Sequence, residues 1–425
     1  MKMYNVPVVF TPDENFIVQT SVAILSMLLS KKEKTQYIFH IVVSEKFDKE
    51  KFEYLDRIKN ICEDFYYEVH YFNSVMFDKQ KISTRHLTSS AYYRLALANI
   101  IDDDICMYHD GDILVYDDLS EMFNVEMDDF YVAGVKAILK HQNTKENSDT
   151  ITKWKFPAFD NYIFSGDLVF NLKKIRADDM VSKFVEYACK GYPSEDQDVI
   201  NMCCYGRICF LPLRYCMLNR WVNGKPFEQL QNIVYSEQEI NDAQNHPAII
   251  HFAGADTKPW TNVRAVYSDE WWKLARRILT SMEYNEWRKK AEFLTRERDW
   301  DVFKKKLDNK KDIIIFGYSQ VAKELYEKLQ NYHYNVVCFV DNDKNKQGHT
   351  YDNKIVLDIK SALIKWQNAN FIISSQNYRK QIREQLINLN VTTDHIIDYF
   401  HKNYIYFQAL DSKYANIENM YNMKE

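Results

Sequence analysis

The sequence predicts an α/β protein with a mainly parallel sheet, followed by a second, smaller Rossmann-like unit. Three observations carry this. Short apolar runs alternate with helical patterns along most of the chain, which is the signature of a parallel sheet. A complete strand, glycine turn, amphipathic helix and acid-terminated strand appears again from residue 312. The chain holds only 9 glycines, and Gly111, Gly166, Gly254 and Gly317 all fall where a strand ends, the edge at which open α/β sheets bind ligands.

The elements follow in order. "VPVVF" (6–10) reads as a buried strand, "NFIVQTSVAILSMLLS" as a helix and "YIFHIVVS" (37–44) as the next strand. The helix "SAYYRLALANII" leads to the strand "ICMYH" and the acidic turn "DGD". The strands "YVAGV", "DLVFNL", "ICFLP" and "AIIHF" complete the first unit, for which we expect residues 1–265. A helical connector is expected over 266–311 and the Rossmann-like unit over 312–425. No repeat or low-complexity tract interrupts the pattern.

With 425 residues, 46% hydrophobic and 15% aromatic, the chain can bury a large core and exceeds one ordinary domain. It shows neither a signal-like N-terminal stretch nor an apolar run of ~18 residues, so the expected location is the cytoplasm. A net charge of −5 weighs against nucleic acid as a bulk partner. Four of the 8 cysteines lie in "CCYGRICFLPLRYC". Adjacent Cys203 and Cys204 lack the spacing of a zinc knuckle, so reduced core thiols are expected. In the connector, Trp271, Trp272, Trp287, Phe293, Trp300 and Phe303 interleave with basic residues such as Arg276, Arg277, Lys289 and Lys290. Two readings stay open for it: peripheral contact with an anionic membrane surface, or an amphipathic helix packed between two units.

Three motifs carry chemistry. In "YHDGD" (108–112), Asp110 and Asp112 follow a strand, where carboxylates suit Mg²⁺ or Mn²⁺; two aspartates in a turn also commonly serve only the backbone. "IIHFAGADTKPW" (249–260) offers His251, whose imidazole tilts a mixed shell toward Mn²⁺, and Lys258, a counter-charge for a diphosphate. "SEDQD" (194–198) puts Asp196, Gln197 and Asp198 at a helix start, where N-terminal capping is the simpler role.

Together these residues resemble glycosyltransferase family 8, the retaining enzymes that include glycogenin and bacterial lipopolysaccharide galactosyl- and glucosyltransferases. The resemblance spans roughly 6–260 and its motifs recur in order. It implies a GT-A fold for the first unit and transfer of glucose or galactose from UDP-glucose or UDP-galactose. "VVFTPDENF" looks like the family's nucleotide loop, implying that Asp13 and Asn15 contact uridine and that Phe16 lies beside the base. "YYRLALANII" resembles the arginine helix, implying that Arg94 contacts the donor. The resemblance implies that Asp110, Asp112 and His251 hold Mn²⁺ (or Mg²⁺), with Gly254 and Lys258 of "HFAGADTKPW" at the diphosphate. "EDQD" resembles the sugar-side motif, with Asp196 on donor hydroxyls and Gln197 or Asp198 near the anomeric carbon. A glutamine is a poor nucleophile, so front-face attack is preferred, with Asp198 the one good covalent candidate.

This chain departs from the family pattern in three places. His109 stands where an apolar residue is usual, Phe164-Ser165-Gly166-Asp167 lacks the usual asparagine, and "GVKAIL" (134–139) lacks a common aspartate. The last two bear on sugar specificity. The second unit resembles small Rossmann-like domains of polysaccharide-biosynthesis enzymes. "FGYSQVAKEL" keeps Gly317 but has Ser319 and Ala322 where a dinucleotide fingerprint has glycines, and Asp341 ends the next strand as a ribose-binding acid would. A structural, homo-oligomerising or acceptor-docking role therefore ranks above NAD binding. The acceptor suggested by the resemblance is a cell-surface glycan or lipid-linked oligosaccharide. The competing functions are a nucleotide-sugar-binding protein of weak activity and an NAD-dependent sugar-modifying enzyme acting through the second unit.

Overall fold

The computed structural model describes residues 4–77, 89–137, 161–222, 235–254, 256–307, 312–375 and 377–399. The chain forms two compact units, Met1–Thr295 and Arg296–Glu425. The division falls within the helix Ser281–Lys304.

The first unit is built on β1 (Tyr4–Phe10), β2 (Thr35–Ser44), β3 (Tyr67–Phe72), β4 (Ile105–His109), β5 (Ile113–Val115), β6 (Val132–Lys136), β7 (Ile163–Asn171), β8 (Ile208–Leu211), β9 (Met217–Leu218) and β10 (Ile249–His251). Seven strands join in the order β3-β2-β1-β4-β7-β6-β8 and three more in the order β5-β10-β9. The apolar residues of "VPVVF" are buried on both faces of β1, as a central parallel strand requires. Within the seven-stranded sheet β7 is the exception to parallel pairing: it runs antiparallel to both β4 and β6. That reversal sets His109 directly opposite Asp167. β10 pairs antiparallel with β5, setting His251 opposite Ile113, beside the acidic turn.

The arginine segment, expected as a helix, forms a 3-10 helix over Ser89–Asn99. Residues 91–98 are all buried, so it packs on every side rather than along one stripe. The helices Ser268–Ile278 and Ser281–Lys304 occupy the expected connector. In the first unit, Trp271 and Trp272 are buried, and Trp271 packs 5.1 Å from Trp260. In the second, Trp300 and Phe303 are core residues. Of the connector's aromatics, Phe293 is exposed. No helix among the described residues is long and apolar enough to cross a membrane. All 8 cysteines are free thiols, and Cys203, Cys204 and Cys216 of the cysteine-rich stretch are buried.

The second unit carries β11 (Ile313–Phe316), β12 (Val336–Val340), β13 (Thr350–Tyr351), β14 (Lys354–Leu357), β15 (Asn370–Ile373) and β16 (Ile396–Asp398) in the order β13-β14-β12-β11-β15-β16. Ser319 caps the helix Gln320–Asn331 by accepting from the Ala322 N–H. Asp341 accepts from the Tyr318 N–H of the turn after β11 at 2.8 Å and from Lys346 Nζ at 3.1 Å. Residues 400–425 of the expected domain, and Ile138 and Leu139 of "GVKAIL", lie outside the described residues.

The start of the helix Ser281–Lys304 is tied to the first unit by Glu283. Its carboxylate accepts from Arg57 Nη1 at 2.7 Å and Nη2 at 3.2 Å, and from the Thr280 N–H at 2.7 Å. Partial burial raises this carboxyl, but the Arg57 and Thr280 hydrogen bonds outweigh it and bring the pKa down to about 2. The unfolded value is ~4.3, so the stabilisation is present above that pH and is lost as pH falls toward 2. Glu283→Gln should lower stability at neutral pH by about 1–2 kcal/mol. In urea denaturation across pH, the gap between variant and wild type should close on acidification; a constant gap would show that the ion pair is not its source.

Candidate active site

The acidic turn leaves the end of β4 and enters β5, so Asp110 and Asp112 project where two sheets meet. Asp110 has a half-buried side chain and Asp112 is buried. Ligand atoms of Asp110, Asp112 and His251 all lie within 4.8 Å of one another. The approach depends on Gly166: a Cβ there would sit 2.3 Å from His251 Cε1 and 2.8 Å from Asp110 Oδ2. Only glycine lets β7 pass this close.

Burying several carboxylates together demands cations. Arg94 is one, 5% exposed. Its Nη2 donates to Asp110 Oδ1 at 2.7 Å, its Nη1 donates to the Ser165 carbonyl at 2.6 Å, and Nε donates to the Ala91 carbonyl at 2.9 Å. Nη1 also lies 3.2 Å from Asp196 Oδ2. Beneath the guanidinium, the Tyr108 ring sits with its centroid 4.4 Å away, and the Tyr108 hydroxyl donates to Asp110 Oδ1 at 2.9 Å. Lys258 is the second cation: its ammonium is hydrogen-bonded to Asp112 Oδ2 and lies 5.2 Å from the centre of the Phe16 ring. Phe16 meets Trp260 edge-on at 5.8 Å, forming an aromatic wall beside that ammonium.

His251 is the third. Its Nδ1 lies 2.8 Å from Asp167 Oδ2 and its Nε2 lies 3.4 Å from Asp112 Oδ1. Burial opposes charge on the ring, but Asp112 and Asp167 together raise its pKa to about 9. Burial likewise pushes Asp112 up, yet Lys258 and His251 outweigh it and hold the carboxyl below its ordinary value. Asp110 goes the other way, raised by burial against the pull of Arg94. Asp196 rises to about 6 from burial, with Arg94 again opposing.

Asp167 was missed as a site residue in the sequence reading. It is fully buried between two imidazoles, with Oδ1 2.7 Å from His109 Nδ1 and Oδ2 facing His251. Burial pushes its carboxyl up, but His251 and His109 pull it well below the usual range. Its signal in the sequence was a single acid in an otherwise apolar strand, which a sheet interior accepts only when paired. His109 Nε2 has no hydrogen-bond partner among the described residues, so Nδ1 is the nitrogen that donates.

On the sugar-side motif, the helix Glu195–Cys203 presents Asp196, Gln197 and Asp198 in its first turn. Gln197 is half-buried; its Oε1 accepts from the Ser165 N–H at 3.2 Å and its Nε2 donates to the Tyr162 hydroxyl at 3.1 Å. Asp198 accepts from the Tyr162 hydroxyl at 2.6 Å and from the Ser194 N–H at 2.7 Å. Ser165 joins the two groups, bonding both Arg94 and Gln197. Asp13 and Asn15 lie on the loop after β1, where the Asn15 N–H donates to Asp13 Oδ1 at 2.8 Å; no described contact joins them to the acidic cluster. Gly254 turns the chain after β10 at φ +104°, carrying it toward Lys258.

Residues 7–264 match the family model for glycosyl transferase family 8. The chain belongs to this family. The glycosyltransferase is 26% identical over 220 residues to general stress protein A of Bacillus subtilis (strain 168), a match covering 48% of this chain and 69% of that protein. Among solved structures, the apo bifunctional glycosyltransferase WbbM aligns with a TM-score of 0.56 at 23% identity, covering 68% of this chain and 52% of that one. The chain thus spans about half the length of WbbM. Galactosyltransferase LgtC, solved with donor and acceptor sugar analogues, aligns with a TM-score of 0.55 at 22% identity, covering 67% of this chain and 100% of that one. These likenesses establish the GT-A fold. Residues 309–397 match a second model, C2185-like N-terminal.

An ion at Asp110, Asp112 and His251 would need the His251 Nε2 lone pair, with Nδ1–H held by Asp167, the carboxylate–histidine arrangement of many metal sites. Asp167→Asn keeps the shape but can serve only one imidazole as acceptor. Mn²⁺ affinity, followed by the electron-spin resonance of the free ion, should fall ~10- to 100-fold. Unchanged affinity would mean that His251 is oriented by something else.

Proposed function

We propose that this family 8 enzyme transfers a hexose, glucose or galactose, from its UDP-sugar to a glycan acceptor with retention of anomeric configuration. The reading is carried by one observation: in a family 8 chain, Asp110, Asp112 and His251 converge on one point while Lys258 lends Asp112 the positive charge that a divalent cation would supply. The donor set, two carboxylates and one imidazole, suits Mn²⁺. Such an ion would offset the charge that develops on UDP as it leaves.

The chain's own residues divide the remaining work. Asp13 and Asn15 bind uridine, with Phe16 beside the base. Lys258, within reach of both Asp112 and the aromatic wall, moves its charge to the donor diphosphate and stabilises the departing group more than the bound substrate. Gly254 allows the backbone to approach the same phosphates. Arg94, buried and bonded on three sides, acts from behind by orienting Asp110 and Asp196. Asp196 binds donor hydroxyls. Both oxygens of Asp198 are committed to Tyr162 and Ser194, which favours front-face attack over a covalent glycosyl-enzyme. In that route the bond from the anomeric carbon to UDP breaks as the acceptor hydroxyl closes on the same face, its proton passing to the departing phosphate oxygen. The Gln197 amide oxygen stabilises positive charge on the sugar.

The acceptor is proposed as a cell-surface glycan. Burial of Trp271, Trp272, Trp300 and Phe303 removes most of the aromatic basis for membrane contact through the connector. An NAD-dependent reaction in the second unit would require Asp341 to release Tyr318 and Lys346.

UDP release from a panel of UDP-sugars, with Mn²⁺ and with EDTA, tests the proposal. One hexose donor should be hydrolysed slowly without acceptor, and EDTA should stop the reaction. Asp112→Asn should lower the rate by about two to three orders of magnitude while circular dichroism stays unchanged. A near-normal rate in the variant would remove the metal from the reaction.

A further inference from the structure

A second cluster of metal-ligating side chains lies on β2 and β3, at one edge of the seven-stranded sheet. His40 stands on β2, and Glu68 and His70 on β3. The parallel register sets His40 beside Glu68 and Val42 beside His70, so the three side chains project from one face. His40 Nδ1 and His70 Nε2 are 3.0 Å apart, and Glu68 Oε2 lies 3.6 Å from the first and 4.0 Å from the second. Ligand atoms bound at ~2.0–2.2 Å to one tetrahedral ion are roughly 3.4 Å from each other. The observed separations bracket that value.

Two further observations point to a cation. Asp103 Oδ2 lies 3.4 Å from His40 Nε2, on the far side of the ring. With the ring proton on Nε2, facing that carboxylate, the Nδ1 lone pair would face His70 and Glu68, where the two rings now share one hydrogen bond. Charge is the second. Asp104 has Lys173 at 3.5 Å and Arg176 at 3.7 Å. Glu68 and Asp103 form ion pairs only with these histidines among the described residues. The group lines a surface cleft of about 620 Å³ that also includes Asn5, Asp102 and Ile105. Ile105 begins β4, whereas Asp110 follows its end.

We propose that His40, His70 and Glu68 form a zinc site, with Asp103 orienting His40 and the cleft leaving the fourth position to water. Two imidazoles, one carboxylate and a water suit tetrahedral Zn²⁺, whereas two carboxylates and one imidazole suit Mn²⁺, so the two sites favour different ions. The bound ion joins edge strand β3 to β2 and, through Asp103, to the loop preceding β4.

Co²⁺ titration of the full chain tests this, because four-coordinate Co²⁺ absorbs strongly in the visible and six-coordinate Co²⁺ does not. One equivalent should give the four-coordinate spectrum, Zn²⁺ should displace it, and it should persist in Asp112→Asn. His70→Gln should abolish the spectrum while leaving Mn²⁺-dependent UDP release intact. Glu68→Gln, at an exposed side chain, should weaken Co²⁺ binding at least ~10-fold. Absence of the four-coordinate spectrum in the wild-type chain, or its survival in His70→Gln, overturns the proposal.

Discussion

Asp110, Asp112, Asp167 and Asp196 crowd one poorly solvated pocket, and carboxylates so placed are tolerable only if positive charge stands among them. Arg94 answers Asp110 and Asp196, Lys258 answers Asp112, and His251 stands between Asp112 and Asp167. The pocket is therefore an alternating lattice of charge. The opposite shifts of its members reflect this balance: two cations hold Asp112 low against burial, whereas burial, with Asp112 and Asp167 adding to it, raises Asp110.

The sheet topology supplies the positions. A strand order that reverses direction at β7 sends the chain back past the end of β4, where the Asp110 N–H donates to the Gly166 carbonyl at 2.8 Å. The small sheet β5-β10-β9 then carries His251 against Asp112, with the Phe252 N–H bonded to the Asp112 carbonyl at 2.9 Å. Backbone pairing thus sets the spacing of the acidic turn and the imidazole before their side chains interact. A site mounted on strand ends is held more rigidly than one on free loops.

Asp110, Asp112, His251 and Lys258 were legible because each lies in a short motif after an apolar strand, and local pattern is what a single sequence displays best. Asp167 was not. Its partners are 58 and 84 residues away along the chain, and nothing near residue 167 names them. His109, noted only as standing where an apolar residue is usual, gave no sign of its partner for the same reason. Strands β5 and β9, with 3 and 2 residues, are too short for a period to register. The direction of β7 also leaves no trace in its pattern, since alternation is the same whichever way a strand runs. Arg94 came from the resemblance as a donor contact; its burial and its bonds to Asp110, Ser165 and Ala91 join segments far apart in sequence and show only in the folded chain.

His109 and the stretch "FSGD" were two separate departures in the sequence, yet they meet as one cross-strand pair. An apolar residue at 109 would take one hydrogen-bond donor from a buried carboxylate; an apolar residue at 167 would strand two imidazoles at once. The two positions are therefore coupled: the effect of changing either one depends on the residue at the other, and the two effects would not add.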